Sequence, residues 1–100
     1  MPANVDLSIV IVSHNVAHLL GNCLESVFRE CAGMEVEVFV VDSASSDESV
    51  QLMRDHFPQV HLRVSEQNIG FPAGNNVALP ECRGRYIALL NPDTIVHEGG

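Results

Sequence analysis

The sequence predicts an α/β fold in three layers, α/β/α, around a four-stranded parallel sheet in the order 3-2-1-4. Three observations carry this expectation. Strand-like apolar runs alternate with helix-period segments along the chain, the β-α-β-α-β-α-β pattern that builds parallel sheets with right-handed crossovers. Leu7 to Val12 is apolar and largely β-branched with no polar alternation, as a strand covered on both faces requires. The second and fourth runs each finish at an acid, Asp42 and Asp93, on the sheet rim where open α/β folds bind ligands.

Each element follows in order. Ser13-His14-Asn15 breaks the first strand and offers a helix cap. Val16, Leu19, Leu20, Cys23, Leu24, Val27, Phe28 and Cys31 then recur at three- and four-residue steps, an amphipathic helix ending near Gly33. The second strand, Val36 to Val41, leads into Asp42 and a polar turn in which Ser45 and Glu48 have the spacing of a capping box. Val50, Met53 and Phe57 give the second helix its apolar face, and Pro58 ends it. Val60, Leu62 and Val64 alternate with His61, Arg63 and Ser65, which predicts an edge strand with one wet face.

Asn68 to Asn76 reads as a glycine- and asparagine-rich loop leading into a short third helix that Pro80 limits to two or three turns. Gly84 supplies the next turn, and Tyr86 to Leu90 is the fourth strand, closed by Asn91-Pro92-Asp93-Thr94. In the order 3-2-1-4 the ends of strands one, two and four meet at one crevice. Ser13-His14-Asn15, Asp42 and Asn91-Pro92-Asp93 would all face it.

Composition narrows the function classes. Hydrophobic residues are 46% and charged residues 18% of the 100, the balance of a folded globular chain rather than a disordered one. No apolar run approaches the roughly 20 residues of a membrane-spanning helix, and Met1 to Asp6 lacks the basic lead of a secretory signal. A cytoplasmic location is the default, with peripheral placement at the inner membrane left open for a full-length protein. A net charge of −8 without a basic stripe argues against nucleic acid as a partner. It also means that an anionic diphosphate would need a divalent cation between it and a carboxylate. Cys23, Cys31 and Cys82 are odd in number and widely spaced, which reads as reduced thiols rather than a disulfide framework or zinc site.

The chemistry centres on the two rim acids. Asp42 is placed to accept from a ribose hydroxyl or a base N–H, and Asp93 is placed to hold a metal; the competing reading of either is a helix cap or turn former, which competes more strongly at Asp42 than at Asp93. No Gly-x-Gly-x-x-Gly follows the first strand and no Gly-Lys-Ser/Thr loop occurs, so the phosphates are not held in a glycine cradle. A phosphoacceptor receiver would cluster acids after the first strand, where Ser13-His14-Asn15 has none.

Four segments together carry a family resemblance: Ser8 to Asn15, Val40 to Asp47, Glu66 to Asn76 and Leu89 to Thr94. Their order and spacing resemble family 2 glycosyltransferases over about Leu7 to Val96, and Asn-Pro-Asp-Thr looks like the bacterial rhamnosyltransferase branch of surface polysaccharide assembly. The resemblance implies a Rossmann-like GT-A fold and a nucleotide-diphosphate-sugar donor, with uridine or deoxythymidine favoured as the nucleoside. It implies that Val12, Ser13, His14 and Asn15 line the base pocket and that Asp42 bonds base or ribose. Gly70, Gly74, Asn75 and Asn76 would lie on a loop closing over the nucleotide, with Asn91 beside it. Asp93, the last acid of the family's Asp-x-Asp motif, would bind Mg2+ or Mn2+ bridging the diphosphate.

The chain departs from that family at three places. Asn91 replaces the first acid of the motif, His14 replaces a common aromatic, and Pro80 interrupts a helix that usually runs further. An inverting transferase needs a general base, which the resemblance implies lies beyond residue 100. Residues 1–100 are thus expected to be the donor-binding part of a larger domain, inactive in transfer by itself. The bare outer edge of the fourth strand is expected to pair with a second copy. The alternative is a module that binds a nucleotide or nucleotide sugar without chemistry.

Overall fold

Runs such as Ile9-Val10-Ile11-Val12 and Val38-Phe39-Val40-Val41 have apolar side chains on both faces, so the strands they form must lie between two covering layers. The computed structural model, which describes residues 5–93, builds that sandwich. Its elements are β1 (Leu7–Ser13), α1 (Ala17–Glu30), β2 (Val36–Ser43), α2 (Ser49–His56), β3 (His61–Ser65), α3 (Gly70–Ala78), a 3-10 turn (Leu79–Glu81) and β4 (Tyr86–Leu90). The four strands pair in parallel in the order β3-β2-β1-β4, as expected.

One face of the sheet presents Ile9, Ile11, Val38 and Val40 to Leu20, Cys23, Leu24 and Val27 of α1 and to Met53 of α2. The other presents Val10, Val12, Phe39 and Val41 to Ala78 of α3. Full burial of a side chain such as Ile11, Leu20 or Val40 stabilises the fold by about 1.5–3 kcal/mol. Pro80 ends α3 after nine residues by forcing the 3-10 turn.

Three local expectations are corrected. The Gly70–Asn76 stretch is not a loop but most of α3. Gly70 enters the helix at φ 77, Pro72 falls in the first turn where its missing N–H is no loss, and Gly74 packs onto Val12. Val64, expected inside, is exposed, because no element lies outside the edge strand β3 among the described residues. On its other face His61 stacks on Phe39 with ring centroids 4.8 Å apart, and the Arg63 guanidinium lies 5.8 Å from the same ring. Gly84, read as a turn former, is needed for a close approach to the backbone of β1.

The sheet end opposite the rim is tied by a buried acid. Glu37, at the start of β2, accepts from the Ser8 hydroxyl at 2.5 Å and the Arg83 N–H at 2.6 Å. The Arg83 guanidinium approaches its other oxygen at 3.1 and 3.2 Å. Burial raises the Glu37 carboxyl, but the Ser8 and Arg83 hydrogen bonds outweigh it and hold the group below its usual range.

β4 pairs only with β1 among the described residues. Ala88 and Leu90 pack against the α1/α2 core, whereas Tyr86, Ile87 and Leu89 stay exposed. No helix among the described residues is long and apolar enough to cross a membrane.

Candidate functional site

Parallel register brings two polar side chains together at the rim. Ser13, the last residue of β1, pairs with Asp42 of β2, so both side chains share the α1/α2 face one strand spacing apart. Both are buried, at 0% and 2% exposure. Asp42 Oδ2 accepts from the Ser45 N–H at 3.0 Å. Asp42 Oδ1 and Ser13 Oγ have no hydrogen-bond partner among the described residues. Such a buried polar atom costs about 1–3 kcal/mol unless something fills its place.

β4 ends on the other side of β1. Leu90 pairs with Ile11, and Asn91, Pro92 and Asp93 continue from there along the same rim. Asp93 therefore follows the strand that lies two places from that of Asp42 in the sheet order, at the same rim. Asn91 and Asp93 are exposed. The Cys23 thiol donates to the Asn91 carbonyl at 3.8 Å, so α1 backs this turn. Burial, and secondarily the charge of Asp93, push that thiol up to about 11. Thr94 lies outside the described residues.

The loops around the Ser13–Asp42 pair are held by groups that local spacing did not reveal. Neither Ser13-His14-Asn15 nor Ser45 caps the helix it precedes. Asp47 serves both: Oδ2 accepts from the Ala17 N–H at 3.1 Å, and Oδ1 accepts from the Ser49 N–H and hydroxyl at 3.0 and 2.5 Å. Burial raises the Asp47 carboxyl, but these donors outweigh it and hold the group below its usual range. A carboxylate already sits at the start of α1, which leaves that helix terminus unavailable to a phosphate. Ser43 joins β2 to α3: its hydroxyl accepts from the Ile69 N–H at 2.8 Å and donates to Asn68 Oδ1 at 2.9 Å.

The remaining expected residues divide. His14 and Asn15 are exposed at the rim beside the pair. The Val12 side chain is buried beneath Gly74, where a Cβ would meet its methyl groups at 2.6 and 2.7 Å. Asn75 is buried with an unpartnered Oδ1, but it belongs to α3, across the sheet from the Ser13–Asp42 face. Asn76 is exposed on α3, and Gly70 starts that helix. No cluster of three His, Cys, Asp or Glu among the described residues is arranged to hold a metal ion. A pocket lined by Met53, Arg54, Phe57, Pro58, Val60 and Leu62 lies near the N-terminal end of β3, away from the rim.

A parallel sheet whose rim carries one buried, half-satisfied acid and one exposed acid is an open α/β domain, the class whose ligand sites lie at that rim. Known proteins make it more specific. Glycosyl transferase family 2 matches residues 8–99, and the chain belongs to that family. The minor teichoic acid biosynthesis protein GgaB of Bacillus subtilis is 30% identical over 100 residues, covering 96% of this chain and 11% of that protein. Chondroitin synthase of Escherichia coli is 30% identical over 90 residues, covering 87% of this chain and 13% of that protein. The structure of TarS from S. aureus in complex with UDP-GlcNAc superimposes with a TM-score of 0.78 at 26% identity, covering 93% of this chain and 28% of that one. The chain thus spans well under a third of the length of these relatives.

Proposed function

We propose that residues 1–100 form the donor-binding part of a larger glycosyltransferase domain that takes a UDP- or dTDP-linked sugar. The reaction assigned to the whole protein is inverting transfer of a hexosyl or rhamnosyl unit to an acceptor hydroxyl during cell-surface polysaccharide synthesis. The observation that carries the donor assignment is the side-by-side pair of Ser13 Oγ and Asp42 Oδ1, buried and unpartnered. Ionised aspartate only accepts, and serine both donates and accepts, a combination suited to a base edge or ribose hydroxyls. The TarS complex with UDP-GlcNAc, at 26% identity, supports a uridine nucleotide as the first ligand to try.

Asp93 is assigned to a divalent ion, Mg2+ or Mn2+. One exposed carboxylate, with Asn91 two residues before it, is too sparse a donor set to retain an ion alone. It does fit an ion that arrives on the diphosphate, since Mg2+ commonly takes one or two carboxylates and completes its shell with phosphates and water. When bound, the ion would neutralise charge on the leaving nucleoside diphosphate. Calorimetric titration with UDP in Mn2+ and in chelator is expected to show at least tenfold tighter binding with the ion. Asp93→Ala is expected to erase that difference while leaving the metal-free affinity unchanged. A metal dependence that survives in Asp93→Ala would reject the assignment.

We also propose that the open edge of β4 pairs with a second copy of the chain, since Tyr86, Ile87 and Leu89 leave apolar surface beside unpaired backbone. Sedimentation should show a concentration-dependent dimer that Leu89→Lys weakens. A strictly monomeric profile rejects it.

A further inference from the structure

We propose that His14 and Asn15 form a proton-sensitive clasp that positions Asp42 and Ser13 for the nucleotide, rather than contacting the ligand themselves. This role rests on the donor-site reading of the rim and adds what holds that site in shape.

The hydrogen bonds leave one arrangement. Asn15 lies at φ 53, a left-handed conformation that asparagine tolerates better than most residues. Its Oδ1 accepts from the Ser46 N–H at 2.6 Å, the Asp47 N–H at 3.3 Å and the Ser46 hydroxyl at 3.3 Å. Its own N–H donates to Ser45 Oγ at 2.9 Å. Backbone N–H groups can only donate, so the amide cannot be turned over, and Nδ2 must face His14 Nε2 at 3.3 Å. The other ring nitrogen, Nδ1, lies on the Ser43 carbonyl, which can only accept. Nδ1 therefore carries the hydrogen and Nε2 presents a lone pair. Neutral imidazole in this one tautomer satisfies every member.

The chain of contacts runs from Ser43 through His14 and Asn15 to Ser46 and Asp47, so it spans the turn that immediately follows Asp42. Ser45, which donates to Asp42 Oδ2, lies inside the same turn. Protonation places a hydrogen on Nε2 against the Asn15 NH2, donor facing donor, and that link is lost. The titratable groups on the elements around the ring are His18 on α1, Asp42 and Asp47 on β2 and its following turn, Glu48 beyond them, and Asp93 after β4. Both oxygens of Asp47 are committed to Ala17 and Ser49. The buried acid with a free oxygen is Asp42, and an imidazolium turned onto it would occupy the atom the nucleotide needs. Either way, acid weakens the site. A His14 that instead touched the diphosphate would bind it more tightly when protonated.

Two measurements on the full chain test the clasp. Without ligand, nitrogen-15 NMR should show the Nδ1–H tautomer of His14 at about pH 8. The Ser46 and Asp47 amides should shift in step with His14 on acidification, and Asn15→Ala should uncouple them. The opposite tautomer, or amides that ignore the ring, overturns the clasp. In calorimetry with UDP and Mn2+, the native chain should lose roughly three- to tenfold more affinity than His14→Phe between about pH 8 and pH 5.5, the worth of one net hydrogen bond. Titration of UDP itself is common to both and cancels. Asn15→Asp keeps an acceptor for the Ser46 and Asp47 amides and offers the imidazolium a carboxylate, so it should abolish the excess loss. Affinity that rises in acid relative to His14→Phe overturns the proposal. No UDP binding at pH 8 with the NMR coupling intact overturns the nucleotide reading and the positioning role with it. Binding without the coupling overturns the clasp alone.

Discussion

Asp42→Asn is expected to weaken UDP binding at least tenfold while leaving thermal stability unchanged or raised. The side chain keeps its size, and its remaining oxygen can still accept from the Ser45 N–H, as Asp42 Oδ2 does now. The amide nitrogen must then take the place of the unpartnered Oδ1, which turns an acceptor into a donor at the buried position. A ligand N–H or O–H aimed there loses its partner. A hydrogen bond to a charged group contributes about 1.5–3 kcal/mol, and 1.4 kcal/mol is tenfold in affinity. Stability moves the other way because a carboxylate only 2% exposed with one oxygen unpaired is costly to bury, and a neutral amide less so. The opposed signs separate loss of recognition from loss of fold. Calorimetry with UDP and Mn2+ beside a thermal melt reads both. Unchanged affinity would mean that Asp42 does not touch the nucleotide, and a matching fall in stability would make its role structural.

Strand order and layer count were legible because they rest on long-range regularities of pattern. β1 and β2 are apolar on both faces, the segments alternate in type, and crossover handedness leaves few windings to choose from. What the sequence concealed depends on contacts across the fold. Asp47 lies inside an apparent capping box for α2, yet one of its oxygens closes the start of α1, thirty residues away along the chain. No local rule assigns a cap to another element. Asn68 to Asn76 has loop composition, but Ser43 and a glycine that fits against Val12 let it wind into helix, so tertiary contacts override propensity. Ser13 and Asp42 were legible as rim residues; that each has an unpartnered atom appears only when the neighbours are in place.

Gly84→Ala is expected to destabilise the chain by about 3 kcal/mol, a fall in melting temperature of roughly 12–24 °C for a domain of this size. A Cβ at this position would lie 2.4 Å from the Ser8 nitrogen, 2.7 Å from Ser8 Oγ and 2.8 Å from the Leu7 carbonyl carbon. That part of β1 cannot give way, because β2 pairs with it on one side and β4 on the other. The Arg83–Gly84 segment must retreat instead. Retreat breaks the Gly84 N–H bond to Ser8 Oγ at 2.8 Å and withdraws the Arg83 N–H and guanidinium from Glu37. The Arg83 side chain is 58% exposed, so the ion pair itself contributes modestly; the lost backbone donor to a buried carboxylate and the steric misfit dominate. The same segment feeds β4, so the Asn91–Asp93 turn should lose its alignment with Asp42 and metal-dependent UDP binding should weaken too. Acid offers an internal check on the cause. Glu37 titrates below its ordinary value of 4.5 in the folded chain, so its stabilisation is complete above that value and lost as pH falls through the lower folded one. The difference between native chain and variant should therefore narrow on acidification once pH falls through the lowered folded value of Glu37, as the native chain loses the same contacts. A melting difference of under about 1 kcal/mol at neutral pH would show that this sheet end yields to a methyl group. One that does not change with pH would show that Glu37 has no part in the loss.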